Sequence, residues 1–156
     1  MPVQPIPEGY HAVTPYLIVK GAARAIDFYK QVFDATEVMR LDGPNGSIGH
    51  AELRIGDSVI MLADEMPGMG HQGPQAYGGT SVSLMVYVKD VDATFKRALA
   101  AGGIERRAVQ NQFYGDRSGN LEDPFGHAWT ISTHVEDVSP EEMAQRAEAF
   151  KKQQAG

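Results

Sequence analysis

The stretch TPYLIVKGAARAIDFYKQVF, residues 14–33, changes period in its middle. Its first six residues are an apolar run rich in β-formers. After Lys20 and Gly21, the residues Ala22, Ala25, Ile26, Tyr29, Val32 and Phe33 fall on one helical stripe. A strand followed by a helix ending near Asp34 is the reading. The same pattern returns later: SVSLMVYV (81–88) is strand-like, and KDVDATFKRALAAGG carries a helix with Val91, Phe95, Ala98 and Leu99 on one stripe and glycines at its end. Sliding the second half back by about 69 positions lays Val88-Lys89-Asp90 on Val19-Lys20-Gly21 and Phe125-Gly126-His127 on Ile55-Gly56-Asp57. The chain is an internal repeat.

Three strand-like segments follow each helix: TEVMRL, IGHAELRI and SVIMLAD in the first half, ERRAVQ, DRSGNLED and AWTISTH in the second. The organisation is therefore one α+β domain over residues 1–156, with two β-α-β-β-β modules at 12–65 and 81–134. Between them EMPGMGHQGPQAYGGT (65–80) breaks all periodicity and reads as a linker or mobile loop. The tail SPEEMAQRAEAFKK opens with Ser139 as N-cap, Pro140 at the first helical position and Glu142 three after the cap, which predicts a terminal helix over 139–152. Its Met143, Ala147 and Phe150 are expected to pack on the body or on a second subunit.

Composition removes several classes of function. Fourteen basic residues against twenty acidic ones give a net charge of −6, and the basic ones are scattered, so nucleic acid has no electrostatic footprint here. No apolar run is long enough to span a bilayer, and MPVQPIPEGYHAV lacks the charge-then-apolar pattern of a leader, so a soluble cytoplasmic protein is expected. With no cysteine, disulfides, thiolate catalysis and Cys-ligated metals are out, and a metal would need His, Asp or Glu.

The tandem modules, with VKGAARAIDFY after the first strand, VKDVDATF after the fourth and DPFGHAW before the last, resemble the vicinal oxygen chelate superfamily. This is the group of glyoxalases, bleomycin resistance proteins and dioxygenases; the segment YGDRSGNLEDPFGHAWTISTHVEDVSPEEM is most similar to its PhnB-like branch. The resemblance covers roughly residues 10–143 and implies the glyoxalase/bleomycin resistance/dihydroxybiphenyl dioxygenase fold, in which two concave sheets line a cavity and the helices lie outside. Strand alternation then points Thr14, Tyr16, Ile18, Ser83, Met85, Tyr87, Ala128, Thr130 and Ser132 inward, and Leu17, Val19, Trp129 and Ile131 toward the helices. Trp129 is read as core, although it is also counted among the aromatic groups available to a cavity wall.

Metal-dependent members of that family carry His, Glu or Gln ligands on the first and last strand of each module. The resemblance places those positions at Thr14, Met61 (or Ile60), Ser83 and Thr130. Hydroxyls and a thioether do not compete with water for a divalent cation as imidazole and carboxylate do. No metal and no cofactor are therefore expected. His50 and Glu52, two apart on one strand, are the alternative: a relocated metal site with Asp64 or Glu65, or simply an exposed face or ion pair. His127 reads as a turn residue, and His11, His71 and His134 as solvated groups in loops or at strand ends. There is no HExxH, P-loop, dinucleotide fingerprint or GxSxG.

FYGDRSG (113–119) places Tyr114, Asp116 and Arg117 in a hairpin that the resemblance puts at the cavity mouth. Arg117 is expected either to clamp a ligand carboxylate or phosphonate with Tyr114 beside it, or to pair with Asp116, Glu122 or a second subunit. Met66 and Met69 would suit an adaptable lid. The favoured reading is a homodimeric protein that binds or sequesters an apolar or aromatic small molecule, with Thr14, Tyr16, Met61, Ser83, Met85, Tyr114, Arg117 and Thr130 as ligand-binding residues. The alternative is a lyase, isomerase or dioxygenase, using a relocated metal or a metal-free acid/base such as Asp116 or Tyr114.

Overall fold

The computed structural model describes residues 2–156 and contains two four-stranded sheets and three α-helices. The chain divides into two compact units, one running through Ser81 and including Pro124–His127, the other comprising Val82–Asp123 and Ala128–Gly156. The second unit thus lacks the turn before its last strand, which belongs to the first.

In the first unit β1 (Tyr16–Val19), β2 (Thr36–Asp42), β3 (Ile48–Ile55) and β4 (Ser58–Asp64) form a sheet in the order β1-β4-β3-β2, with β1 parallel to β4. The helix α1 (Ala22–Phe33) makes the crossover from β1 at one edge of the sheet to β2, which runs parallel to it at the other. Gly21 precedes it at φ 98, a conformation suited to glycine, and carries no side-chain cap. Asp64 supplies one instead: its Oδ1 accepts from the Gly21 and Ala22 amides at 2.9 and 2.8 Å, and its Oδ2 from the Ile48 amide at 2.8 Å. A carboxylate at a helix N-terminus satisfies orphan donors and meets the positive end of the helix dipole.

Alternation sorts the sheet. Leu17, Val19, Ala51, Leu53 and Leu62 are buried beneath α1, whose Ile26, Tyr29 and Val32 are likewise buried. The 124–127 turn is held by the same core: Phe125 meets Phe28 edge-on at 6.2 Å, and His127 Nε2 lies 2.9 Å from the Ile18 carbonyl oxygen. His127 is a turn residue, as expected, but a half-buried and bonded one.

The loop 65–80 is not shapeless. Two single turns of 3₁₀ helix, Pro67–Met69 and Pro74–Tyr77, each begin with proline and end on a left-handed glycine, Gly70 and Gly78. Met66 and His71 form a bridge, and Glu65 accepts from the Gly73 amide at 3.0 Å.

The second unit repeats the plan with β5 (Ser83–Tyr87), α2 (Val91–Ala100), β6 (Ile104–Asn111), β7 (Asp116–Glu122) and β8 (Ala128–His134), ordered β5-β8-β7-β6. Asp90 caps α2, accepting from the Ala93 amide at 3.0 Å. Thr133, the repeat counterpart of Asp64, accepts from the Val91 amide at 2.9 Å and donates to the Val88 carbonyl at 2.8 Å. Gly119 sits under α2 where a Cβ would lie 2.8 Å from the Phe95 ring, so the helix approaches only because the position is bare. Trp129 is buried, and its Nε1 donates to Asp123 Oδ2 at 2.9 Å; the indole belongs to the core and is not available to a ligand wall. The terminal α3 (Pro140–Ala155) opens as the capping box predicts, Ser139 accepting from the Glu142 amide at 3.2 Å.

Candidate functional site

Each sheet has one face covered by its helix and one open face, and the open faces carry the chemistry. Across the first sheet the register sets Met39, Glu52, Met61 and Tyr16 in one row. Next to it lie His50 opposite Leu41 and Ile18 opposite Ala63. Tyr16 is 48% exposed, whereas Glu52 is buried at 6%. A buried carboxylate between two methionines requires partners. Glu52 Oε2 accepts from the Tyr10 hydroxyl at 2.7 Å, and its Oε1 is 3.5 Å from His50 Nε2. The other ring nitrogen of His50, Nδ1, is 2.8 Å from the Tyr16 hydroxyl. Two hydrogen bonds, Tyr10–Glu52 and Tyr16–His50, are thus joined by an imidazole–carboxylate contact at 3.5 Å, in the order Tyr10–Glu52–His50–Tyr16. The bond to Glu52, reinforced by burial and by the carboxylate's charge, holds the Tyr10 phenol above its usual value, while burial and then the Glu52 charge do the same for Tyr16. Both remain donors through neutral pH.

The expectation that His50 and Glu52 share a face is met, but the other residues of the relocated metal site are engaged elsewhere. Asp64 binds the start of α1 and Glu65 the 65–80 loop. Among the described residues no group of three or more His, Cys, Asp or Glu side chains is placed to hold a metal ion.

On the second sheet the corresponding row is Met85, Thr130, Asn120 and Arg107, followed by Tyr87, Ser132, Ser118 and Gln110. Met85 and Tyr87 are 49% and 60% exposed. Ser83 Oγ lies 3.5 Å from Thr130 Oγ1, which also accepts from the Asn120 amide. Thr130 is therefore a hydrogen-bonding hydroxyl already in use, and Met61 offers a thioether, so neither fits the role of a divalent-metal ligand. Thr14 lies just before β1, half-buried.

A second polar cluster closes this face at the ends of β7 and β8. Asp116, buried, accepts from the Tyr87 hydroxyl at 2.9 Å and sits 2.8 Å from His134 Nδ1; His134 Nε2 lies 2.8 Å from Asp137. Burial pushes the Asp116 carboxyl up, but the bonds from His134 and Tyr87 outweigh it and hold it below the usual range. The bond to Asp116, and then that to Asp137, raises His134 above its usual value. His134 is at the end of β8 and exposed, as expected, but it is bonded to two carboxylates. Its face was legible: it follows Thr130 and Ser132 at a spacing of two on a strand.

Arg117 corrects another expectation. It points from β7 to the helix side, where its Nε and Nη2 donate to Asp92 Oδ2 and Oδ1 at 2.8 and 2.9 Å and its Nη1 to Asn111 at 3.2 Å. The fork is spent on α2, and Asp92 was not among the partners anticipated. Tyr114 packs edge-on against Phe113 at 5.3 Å, and Phe113 in turn meets Phe150 of α3 at 5.1 Å.

The model of the Glyoxalase/Bleomycin resistance protein/Dioxygenase superfamily matches residues 10–131. An uncharacterized protein of Mycobacterium bovis is 44% identical over 135 residues, 85% of this chain and 89% of that protein. The crystal structure of TioX from Micromonospora sp. ML1 superposes with a TM-score of 0.61 at 26% identity, covering 83% of this chain and all of that one (100%). A Bacillus cereus PhnB protein, described as a putative 3-demethylubiquinone-9 3-methyltransferase, shares the fold at TM-score 0.63 and 20% identity, over 79% of this chain and 99% of that one.

Proposed function

We propose, from the premise that the chain belongs to the glyoxalase/bleomycin resistance protein/dioxygenase superfamily, that it binds and sequesters an apolar or aromatic small molecule without a metal. The observation that carries this is the make-up of the open faces. Tyr16, Met61, Met85 and Tyr87 offer aromatic and thioether surface on the side of each sheet away from its helix, and three of the four are exposed. Large apolar side chains left open on a sheet face, with a few fixed polar groups between them, are what a small-molecule site requires. Ser83 and Thr130 supply hydroxyls, while the positions that would hold the family's metal carry side chains that do not ligate it.

A homodimer is part of the reading. It is supported by α3, none of whose residues is fully buried and whose Phe150 is 43% exposed. Sedimentation at micromolar concentration should give twice the chain mass; a monomer removes this element. No helix among the described residues is long and apolar enough to cross a membrane.

The function is tested by thermal shift against a panel of uncharged aromatic compounds. A true ligand at a hundredfold its Kd stabilises by about 2.7 kcal/mol, which for a chain of this length raises Tm by roughly 5–10 °C, and chelator leaves the shift unchanged. Retention of about one Mn²⁺ or Zn²⁺ per chain after desalting, lost in His50→Ala, would overturn the metal-free reading.

A further inference from the structure

The chain Tyr10–Glu52–His50–Tyr16 restricts what the first sheet accepts, because a phenol has a single proton to give. Glu52 Oε1 faces His50 Nε2 at 3.5 Å, so the neutral imidazole keeps its hydrogen on Nε2 and presents a lone pair at Nδ1. Tyr16, 2.8 Å away, then donates to Nδ1 and offers a ligand only its oxygen lone pairs. A ligand bearing an acceptor turns that proton toward itself. Two acceptors, Nδ1 and the Tyr16 oxygen, would then face each other at 2.8 Å unless Nδ1 gains a proton.

Building on the small-molecule reading, we propose that Tyr16, His50 and Glu52 form a proton-coupled recognition site for a carbonyl-type oxygen on an apolar ligand. Tyr16 donates to that oxygen, and His50 takes up one proton from solvent on its Nδ1, becoming an imidazolium held between the Tyr16 oxygen and the Glu52 carboxylate. No bond other than hydrogen bonds forms or breaks.

Glu52 is the reason to prefer an acceptor ligand to a donor. It is buried in a row with Met39 and Met61, where a carboxylate is costly, and a neutral amide would orient His50 equally well. A negative charge beside Nε2 favours a ring that becomes positive. The neighbouring positions agree: Leu41 on β2 and Met61 and Ala63 on β4 carry no charge, and Arg54, two residues along β3, donates to the Gly9 carbonyl at 3.2 Å. The Tyr10 hydroxyl fixes the carboxylate from its far oxygen at 2.7 Å.

The test is calorimetric titration of the full chain with a matched pair, 2-acetylnaphthalene and 2-ethylnaphthalene, near pH 7.5 in buffers of low and high ionisation enthalpy. The ketone should bind about tenfold more tightly, the size expected of one hydrogen bond, and should take up as much as about one proton. The hydrocarbon should take up none. Tyr16→Phe should lower the ketone to the hydrocarbon's affinity and abolish proton uptake; Glu52→Gln should reduce the uptake. Ketone binding without proton uptake, or uptake that survives Tyr16→Phe, overturns the site. Hydrocarbon binding with no gain for the ketone overturns it while sparing the small-molecule reading; failure of both, with an empty thermal-shift panel, removes both. A measurement on unliganded wild-type protein guards against a misfolded variant: ¹⁵N shifts showing the Nδ1–H tautomer of His50 also overturn the proposal.

Discussion

The row Tyr16–Met61–Glu52–Met39 crosses the first sheet, and its counterpart across the second is Met85–Thr130–Asn120–Arg107. The backbones are paired alike and the side chains of the two rows differ: the first is a phenol and two thioethers around a buried carboxylate, the second a thioether, a hydroxyl, an amide and a guanidinium. Beneath the sheets the situation reverses. Asp64 and Thr133 occupy equivalent positions and, with different groups, do the same work of tying the first turn of a helix to the sheet. The repeat therefore constrains strand register and helix starts, which the fold needs twice, and leaves the open faces to diverge. Function is to be sought where the halves disagree.

The sharpest way to break this comparison is to remove both ties. Asp64→Ala strips acceptors from three backbone amides at once and should cost roughly 3 kcal/mol. Thr133→Ala removes one acceptor and one donor and should cost roughly 1 kcal/mol. Urea unfolding of the two variants decides it: equal costs would mean that the two helix starts are not secured in the way their geometry implies. The core offers a second contrast. Ala51 and Ile26 in the first unit correspond to Gly119 and Phe95 in the second, a small residue under a medium one against a bare position under a large ring. Gly119→Ala drives a methyl into Phe95 and Val109 and should cost about 2 kcal/mol, and adding Phe95→Ile should recover part of it. A neutral Gly119→Ala would show that α2 moves away freely.

Much of this architecture is written in local periodicity. IGHAELRI, SVIMLAD and AWTISTH match β3, β4 and β8, and the alternation of YLIV separates exposed Tyr16 from buried Leu17. The candidate site is less legible because its bonds span long separations. His50 and Glu52 share a face by a rule of two, but Tyr16 and Tyr10 reach them from 34 and 42 residues away. In the sequence Arg117 is open between a ligand clamp and a structural ion pair: its neighbours Asp116 and Ser118 are on the open face, so alternation already turns it toward the helix, and the pair it forms there is with Asp92. The 65–80 loop contained its own signal in Pro67 to Gly70 and Pro74 to Gly78, a spacing for single turns that a search for long periods overlooks.

The smallest effect concerns pH and the Asp116–His134–Asp137 clasp of the second unit, in which a histidine sits between two carboxylates. His134 is raised by its bond to Asp116, then by Asp137, so its contribution is complete below the ordinary histidine value and fades as pH rises through the raised one. Asp116 is lowered despite its burial, so its contribution is present above the ordinary carboxylate value and is lost as pH falls through the lowered one. Both are in place between about pH 4 and pH 6.5. The difference in Tm between the wild type and His134→Gln should be widest in that window and should narrow first on the alkaline side, where the imidazolium gives up its proton. A difference that stays constant from acid to alkaline pH would mean that His134 serves the strand end as a neutral hydrogen-bonding group, and the contrast between the two units would then rest on their open faces alone.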